Sequence, residues 1–187
     1  MHLPVGEIGR IDDGDTAVDL ALPPADVVFL SAADTELALM ARVAARGGAG
    51  VTVATANLGR LAHPLSVDLF LEKTVLQSRA VVLRCMGGAS HWRHLVAEVR
   101  RLCRAHTLPL VVVPGEDRWD SALEEFSTVP AEDARLLWRY LVESGEENAS
   151  RALALCARFL GRAADLPPPP VILPRAGCYQ PGRGPVA

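Results

Sequence analysis

The chain has 187 residues, 50% of them hydrophobic and 22% charged, and its 22 acidic against 19 basic side chains give a formal net charge of −3. Such a composition supports one domain with a buried core and excludes a disordered segment; the acidic balance argues against a nucleic-acid binder, which carries a basic excess on one face. No run reaches the roughly 18 apolar residues of a membrane span, and the first six residues lack the basic start and apolar stretch of a leader, so a soluble, cytoplasmic protein is expected.

Residues 1–5 are a candidate first strand. Residues 11–25, with Asp12-Asp13-Gly14-Asp15 and Pro23-Pro24, read as a loop with room for one short strand. Continuous β-branched runs then predict buried strands at 27–30, 51–55, 80–83 and 110–113. Segments of helical period lie between them. The first is 34–46, with Leu37, Met40, Ala41 and Ala44 on one face, and the second is 64–77, with Pro64 in a tolerated first-turn position. The third is 90–106, where Trp92, Leu95, Val96, Val99, Leu102 and Cys103 form one stripe. A helix at 131–143 follows, burying Ala134, Leu137, Trp138 and Leu141. Ser144-Gly145-Glu146-Glu147 has the spacing of a capping box and opens a last helix to about 162. The alternation predicts an α/β fold: an open, mostly parallel sheet of four or five strands flanked by helices, with two extra C-terminal helices. Residues 1–165 form this domain. Residues 166–187 begin with four prolines, Pro167–Pro170, and read as a Pro-rich interdomain linker cut short, with no closing helix or strand.

The basic set is 18 Arg and a single Lys, Lys73. With so many Ala and Pro, a coding bias explains the arginines better than phosphate recognition would, and they are read as solvated charges on helix faces. The four cysteines at 85, 103, 156 and 178 make no CxxC pair. Cys103 and Cys156 fall on helix stripes and read as small core residues.

Few motifs carry chemistry. Gly47-Gly48-Ala49-Gly50 follows a helix and precedes a strand, the reverse of a phosphate cradle, and no GxxxxGK[ST] or GxGxxG occurs. Ser31 follows a strand without the GxSxG elbow. The segment Arg84-Cys85-Met86-Gly87-Gly88 does have the order strand, glycines, helix, and its N–H groups could hold an anion; the plain alternative is a tight turn with Ser90 as N-cap. His91 and His94 stand three apart at a helix start, and His63 ends another strand–helix loop. Open sheets gather ligands at the carboxyl ends of their strands, so His63, His91, Asp34 and Glu116-Asp117 are candidates to converge there. No firm third metal ligand can be named, and Asp34 reads more simply as an N-cap. The candidate ligand-binding residues are therefore Gly87, Gly88, His91, His63 and Asp34, with no catalytic and no metal-binding residue.

Four stretches add a resemblance. They are Gly9-Arg10-Ile11-Asp12-Asp13-Gly14 running on through Pro23-Pro24-Ala25-Asp26 to Ser31-Ala32-Ala33-Asp34-Thr35-Glu36-Leu37; Leu61-Ala62-His63-Pro64-Leu65-Ser66-Val67-Asp68; Ser127-Thr128-Val129-Pro130-Ala131-Glu132-Asp133; and Leu173-Pro174-Arg175-Ala176-Gly177 with Tyr179 and Pro181-Gly182. Together they resemble the N-terminal region of the aerobic cobaltochelatase large subunit, a family related to the magnesium chelatase large subunit. The resemblance implies part of an enzyme of aerobic cobalamin biosynthesis that inserts cobalt into the corrinoid hydrogenobyrinic acid a,c-diamide. It implies Co²⁺ and ATP with Mg²⁺ for the complete enzyme, and no cofactor on this portion. The implied partners are the corrinoid, the remaining large-subunit domains and two smaller subunits, one an AAA+ ATPase, with neither nucleic acid nor membrane. The family's metal-insertion groups are expected downstream of Ala187, so this portion alone is not expected to be catalytic. Two segments depart from the family pattern: His91-Trp92 stands where a Tyr-Trp pair is usual, and in the tail Cys178 and Gln180 replace apolar or aromatic residues. The alternatives are a free-standing α/β small-molecule-binding domain, using Gly87-Gly88, His91 and Glu116-Asp117, and a subunit-docking domain without catalysis.

Overall fold

The computed structural model describes residues 16–172 and the strands at 178–180 and 184–186. Four strands, β1 Val27–Ser31, β2 Val53–Asn57, β3 Ala80–Cys85 and β4 Leu110–Pro114, form a parallel sheet in the order β2-β1-β3-β4. Phe29 sits in register between Thr55 and Val82, and Val82 beside Val111. Every residue of β1 and β3 is buried, as a central parallel strand covered on both faces requires. β2, at one edge, alternates half-buried with buried residues. β4 lies at the other edge yet is buried throughout, because Leu110 N–H donates to Thr128 Oγ1 (2.8 Å) and Val112 N–H to Ser127 Oγ (2.9 Å). Hydroxyls thus replace the strand that is missing there.

The sheet separates two cores, and strand alternation assigns residues to them. Val28, Leu30, Val81, Leu83, Leu110 and Val112 pack with Phe70 of α2 (Pro64–Lys73) and with Leu95, Val96 and Val99 of α4 (Arg93–Ala105). Val27, Phe29, Val82, Val111 and Val113 face the other way. They meet Met40 of α1 (Asp34–Ala45), Leu137 of α6 (Ala131–Glu143) and Leu153 of α7 (Gly145–Phe159). The two C-terminal helices therefore complete the second layer. Among the described residues no helix is long and apolar enough to cross a membrane.

The sequence expectations hold at the level of elements and shift at their ends. The second strand lies at 53–57, not 51–55; Val51 is buried, but it belongs to the turn before the strand. The helix expected over 64–77 stops at Lys73, and its last residues form a separate 3₁₀ turn, Val75–Gln77. The helix expected over 90–106 is two: α3 Gly88–His91 and α4, interrupted at Trp92. The indole explains the break, since Trp92 Nε1 donates to the Met86 carbonyl at 2.7 Å and holds the residue at a non-helical φ,ψ of −108°, 16°. Ser90 consequently lies inside α3 and caps nothing. A short helix not foreseen, α5 Ser121–Glu124, is capped by Asp120, whose Oδ1 accepts from Ala122 N–H (2.9 Å).

The capping box at Ser144 does not form. That residue has φ 57° and makes no side-chain cap. Its N–H closes α6 on the Tyr140 carbonyl, and its own carbonyl accepts from Asn148 Nδ2 at 2.8 Å. The expectation of no closing strand is also corrected. Strands β5 Cys178–Gln180 and β6 Gly184–Val186 pair antiparallel, with Tyr179 opposite Pro185. The strand expected at 1–5 lies outside the described residues.

Candidate functional site

Strand order reverses between β1 and β3, and in open parallel sheets the crevice at that reversal, beyond the carboxyl ends, is where ligands bind. Here it is crossed by an ion pair. Glu36, in the first turn of α1, meets Arg84 of β3, their side chains only 13% and 9% exposed. Ser31, the last residue of β1, donates its hydroxyl to Glu36 Oε2 (2.6 Å) and accepts from Ala33 N–H (3.1 Å). Arg84 Nη2 donates to the Gly115 carbonyl (3.1 Å), which ties in the loop after β4. Burial pushes the Glu36 carboxyl up, opposed by Arg84 and by Ser31. Burial likewise lowers Arg84, but guanidinium is so strong a base that it keeps its proton. The result is a closed polar plug, with the reversal point filled by the chain itself.

The sequence candidates fall around this plug. Gly87 and Gly88 both have positive φ (87° and 78°), the geometry that made them glycines. Gly87 N–H does point at a carboxylate, the chain's own Glu116, whose Oε1 accepts it at 2.8 Å. His91 stands edge-on to Trp92, ring centroids 4.8 Å apart, and lines a recess of about 270 Å³ with Gly59, Leu61, Ala62, His94 and Leu95. Gly87, Gly88 and His91 therefore share one loop and helix start. His63 is spent elsewhere: its Nδ1 accepts from Leu65 N–H (3.1 Å) and caps α2. Asp34 is the first residue of α1, not its N-cap, which is Ala33; its Oδ1 accepts from Asn57 Nδ2 (2.8 Å) and joins the ends of β1 and β2.

A second recess, about 370 Å³, opens beside Gly88 and is lined by Glu116, Arg118, Trp119, Asp120 and Ser121. An aromatic cluster borders it. Trp119 and Trp138 meet edge to face at 5.2 Å, Arg135 lies 5.3 Å over Trp119, and Glu124 accepts from both Trp119 Nε1 (3.0 Å) and Arg135 (2.9 Å). Sequence reasoning missed this cluster. Asp120-Ser121 carried a capping signal for α5 that would have placed Trp119 on an ordered turn. A larger recess, about 480 Å³, lies by Pro109 at the amino end of β4, but its Ser127 and Thr128 hydroxyls are already bonded to that strand.

Among the described residues no group of three or more His, Cys, Asp or Glu can hold a metal ion. Cys85, Cys103 and Cys156 are buried and free, and burial pushes each thiol up to about 12. They are neither nucleophiles nor thiolate ligands at neutral pH.

No family model matches the chain. It is 41% identical over 184 residues, 98% of its length, to the aerobic cobaltochelatase subunit CobN of a Sinorhizobium species. To the CobN of Pseudomonas aeruginosa it is 34% identical over 183 residues, 97% of its length. It spans 14% of the length of each of these curated relatives. Among solved structures, the catalytic subunit of cobaltochelatase from Mycobacterium tuberculosis superposes with a TM-score of 0.62 at 28% identity, covering 81% of this chain and 12% of that one.

Proposed function

We propose that this chain, homologous over nearly all its length to a segment of aerobic cobaltochelatase CobN subunits, serves as the amino-terminal portion of such a subunit. The complete enzyme then inserts cobalt into hydrogenobyrinic acid a,c-diamide in the cytoplasm, with ATP hydrolysed by an AAA+ ATPase that is one of two smaller partner subunits. One observation carries the reading: 41% identity sustained across 98% of the chain.

In this reading the portion is a wall and a docking surface rather than the centre of reaction. Metal insertion needs a base for the ring protons, ligands that strip water from Co²⁺, and a cavity for a macrocycle. Four carboxylates near the strand ends are engaged within the chain, Glu36 with Arg84, Asp34 with Asn57, Glu116 with Gly87 and Glu124 of α5 with Arg135, while Asp117 is exposed. Of the two recesses there, the one of about 270 Å³ falls below the roughly 300–1,000 Å³ of small-molecule sites and the one of about 370 Å³ lies at its low end. Closed polar pairs beside the half-buried rings of Trp119 and Trp138 suit contact with protein.

The test is direct. The 187-residue chain is expected neither to metallate a cobalt-free corrinoid nor to cleave ATP, while the complete subunit with its partners loses cobalt insertion when this segment is deleted. Metallation or ATP cleavage by the chain alone overturns the reading. Unchanged insertion by the deleted subunit overturns it as well.

A further inference from the structure

Residues 167–171 run over the junction of α6 and α7, and the chemistry of their contacts changes where the prolines end. Four consecutive prolines present carbonyls and no N–H. Each of the first three is met by a donor. Tyr140 Oη donates its one hydrogen to the Pro168 carbonyl at 2.6 Å, with the Pro167 carbonyl sharing it at 3.3 Å. Arg151 donates to the Pro169 carbonyl while it pairs with Glu147 one turn earlier on α7. Pro170 is buried. At Val171 an N–H returns, and there the partner offers an acceptor: Asn148 Oδ1 takes the Val171 N–H at 2.8 Å, and Asn148 Nδ2 donates to the Val171 carbonyl at 2.8 Å, as a neighbouring strand would. Tyr140 is fully buried and Asn148 is 1% exposed. Both are polar groups whose satisfaction depends on this segment.

We propose that the α6–α7 junction is a polyproline-II recognition site and that residues 167–171 of this chain are its resident ligand. Proline fixes its own φ and forces the residue before it to be extended, so the four-proline run arrives already in the shape the site accepts and loses little freedom on docking. Donors face the proline carbonyls and one acceptor faces the single N–H, so the site reads register as well as shape. The contacts fix residues 167–171 on the surface of the domain. This inference goes beyond the chelatase reading and does not rest on it.

Amide exchange followed by NMR on the full 187-residue chain tests it. The Val171 N–H is expected to exchange at least tenfold more slowly than in an unstructured peptide. Tyr140→Phe is expected to abolish most of that protection while the Leu155 amide, inside α7, stays protected. Should Tyr140→Phe also expose Leu155, Arg151→Gln, on the outer side of the site, serves in its place. A second measurement empties the site by replacing residues 167–170 with Gly-Ser-Gly-Ser in the full chain and adds a fluorescent Leu-Pro-Pro-Pro-Pro-Val-Ile peptide. Saturable binding is expected, at least tenfold weaker when the peptide carries Val171→Pro, which removes the N–H that Asn148 accepts. Unprotected exchange at Val171 in the unmodified chain, no peptide binding, or equal binding of the two peptides overturns the proposal.

Discussion

Arg84 shows what a single residue can hide from sequence reading. Its run of neighbours marks a buried strand, yet composition groups it with the arginines that lie as solvated charges on helix faces. Most are partly or largely exposed, but Arg84 is 8% exposed because Glu36 reaches it across the strand reversal. The two are 48 residues apart, so no local period links them. A buried pair is costly to break one-sidedly, since the remaining charge has no partner. Arg84→Met is therefore expected to lower unfolding free energy by about 3 kcal/mol in urea titration, with Glu36→Leu added on top restoring most of it. A smaller test concerns His63. Its ring was a candidate ligand and instead caps α2, so His63→Ala is expected to cost about 0.5–2 kcal/mol by the same titration.

Elements were more legible than residues. The apolar runs found β1, β3 and β4 because a parallel strand buried on both faces is mostly apolar, and placed the half-buried edge strand β2 two residues early. The stripe through Trp92 to Cys103 found α4 for the same kind of reason, since its charged face and buried face differ sharply. What periodicity could not show was the break at Trp92, which is set by a bond from the indole to the Met86 carbonyl six residues earlier. Nor could it show that Ser144 joins α6 to α7 without capping, because Asn148 takes over the Ser144 carbonyl. Trp92 separates these contributions experimentally. Trp92→Phe keeps most of the buried ring and loses one hydrogen bond, so about 1 kcal/mol or somewhat more is expected; Trp92→Ala also empties the site, and about 3–5 kcal/mol is expected. Equal losses by urea titration would mean that the bond, not the ring, holds the α3–α4 break.

At the scale of the molecule, the family resemblance read from four stretches agrees with relatives that match 97–98% of the chain, whereas no short motif pointed there. The two ends of the sheet also divide the work. The carboxyl end of the sheet carries the candidate residues and the recesses beside them, and the amino end carries a clamp. Asp26, just before β1, accepts from Arg162, 136 residues later, at 2.6 and 2.8 Å, and from Thr52 N–H and Oγ1. Arg162 also donates to the Gly50 carbonyl at 2.8 Å, so the chain leaving α7 is fastened to the start of the sheet. Arg162 and Thr52 hold the Asp26 carboxyl down at about 2. Because the folded value lies below the unfolded one, near 4, the folded state binds the proton more weakly. The clamp's contribution is complete above pH 4 and disappears as pH falls through 2. Its size is on the order of 1–2 kcal/mol, with solvent screening on the Arg162 side. Glu36 works in the opposite sense, since burial raises it and protonation relieves a desolvated charge. Unfolding free energy measured from pH 5 to pH 2 is therefore expected to fall in the native chain and to fall less in Asp26→Asn, the two curves converging at the acid end. Parallel curves would show that Asp26 is not the group whose protonation releases the amino end.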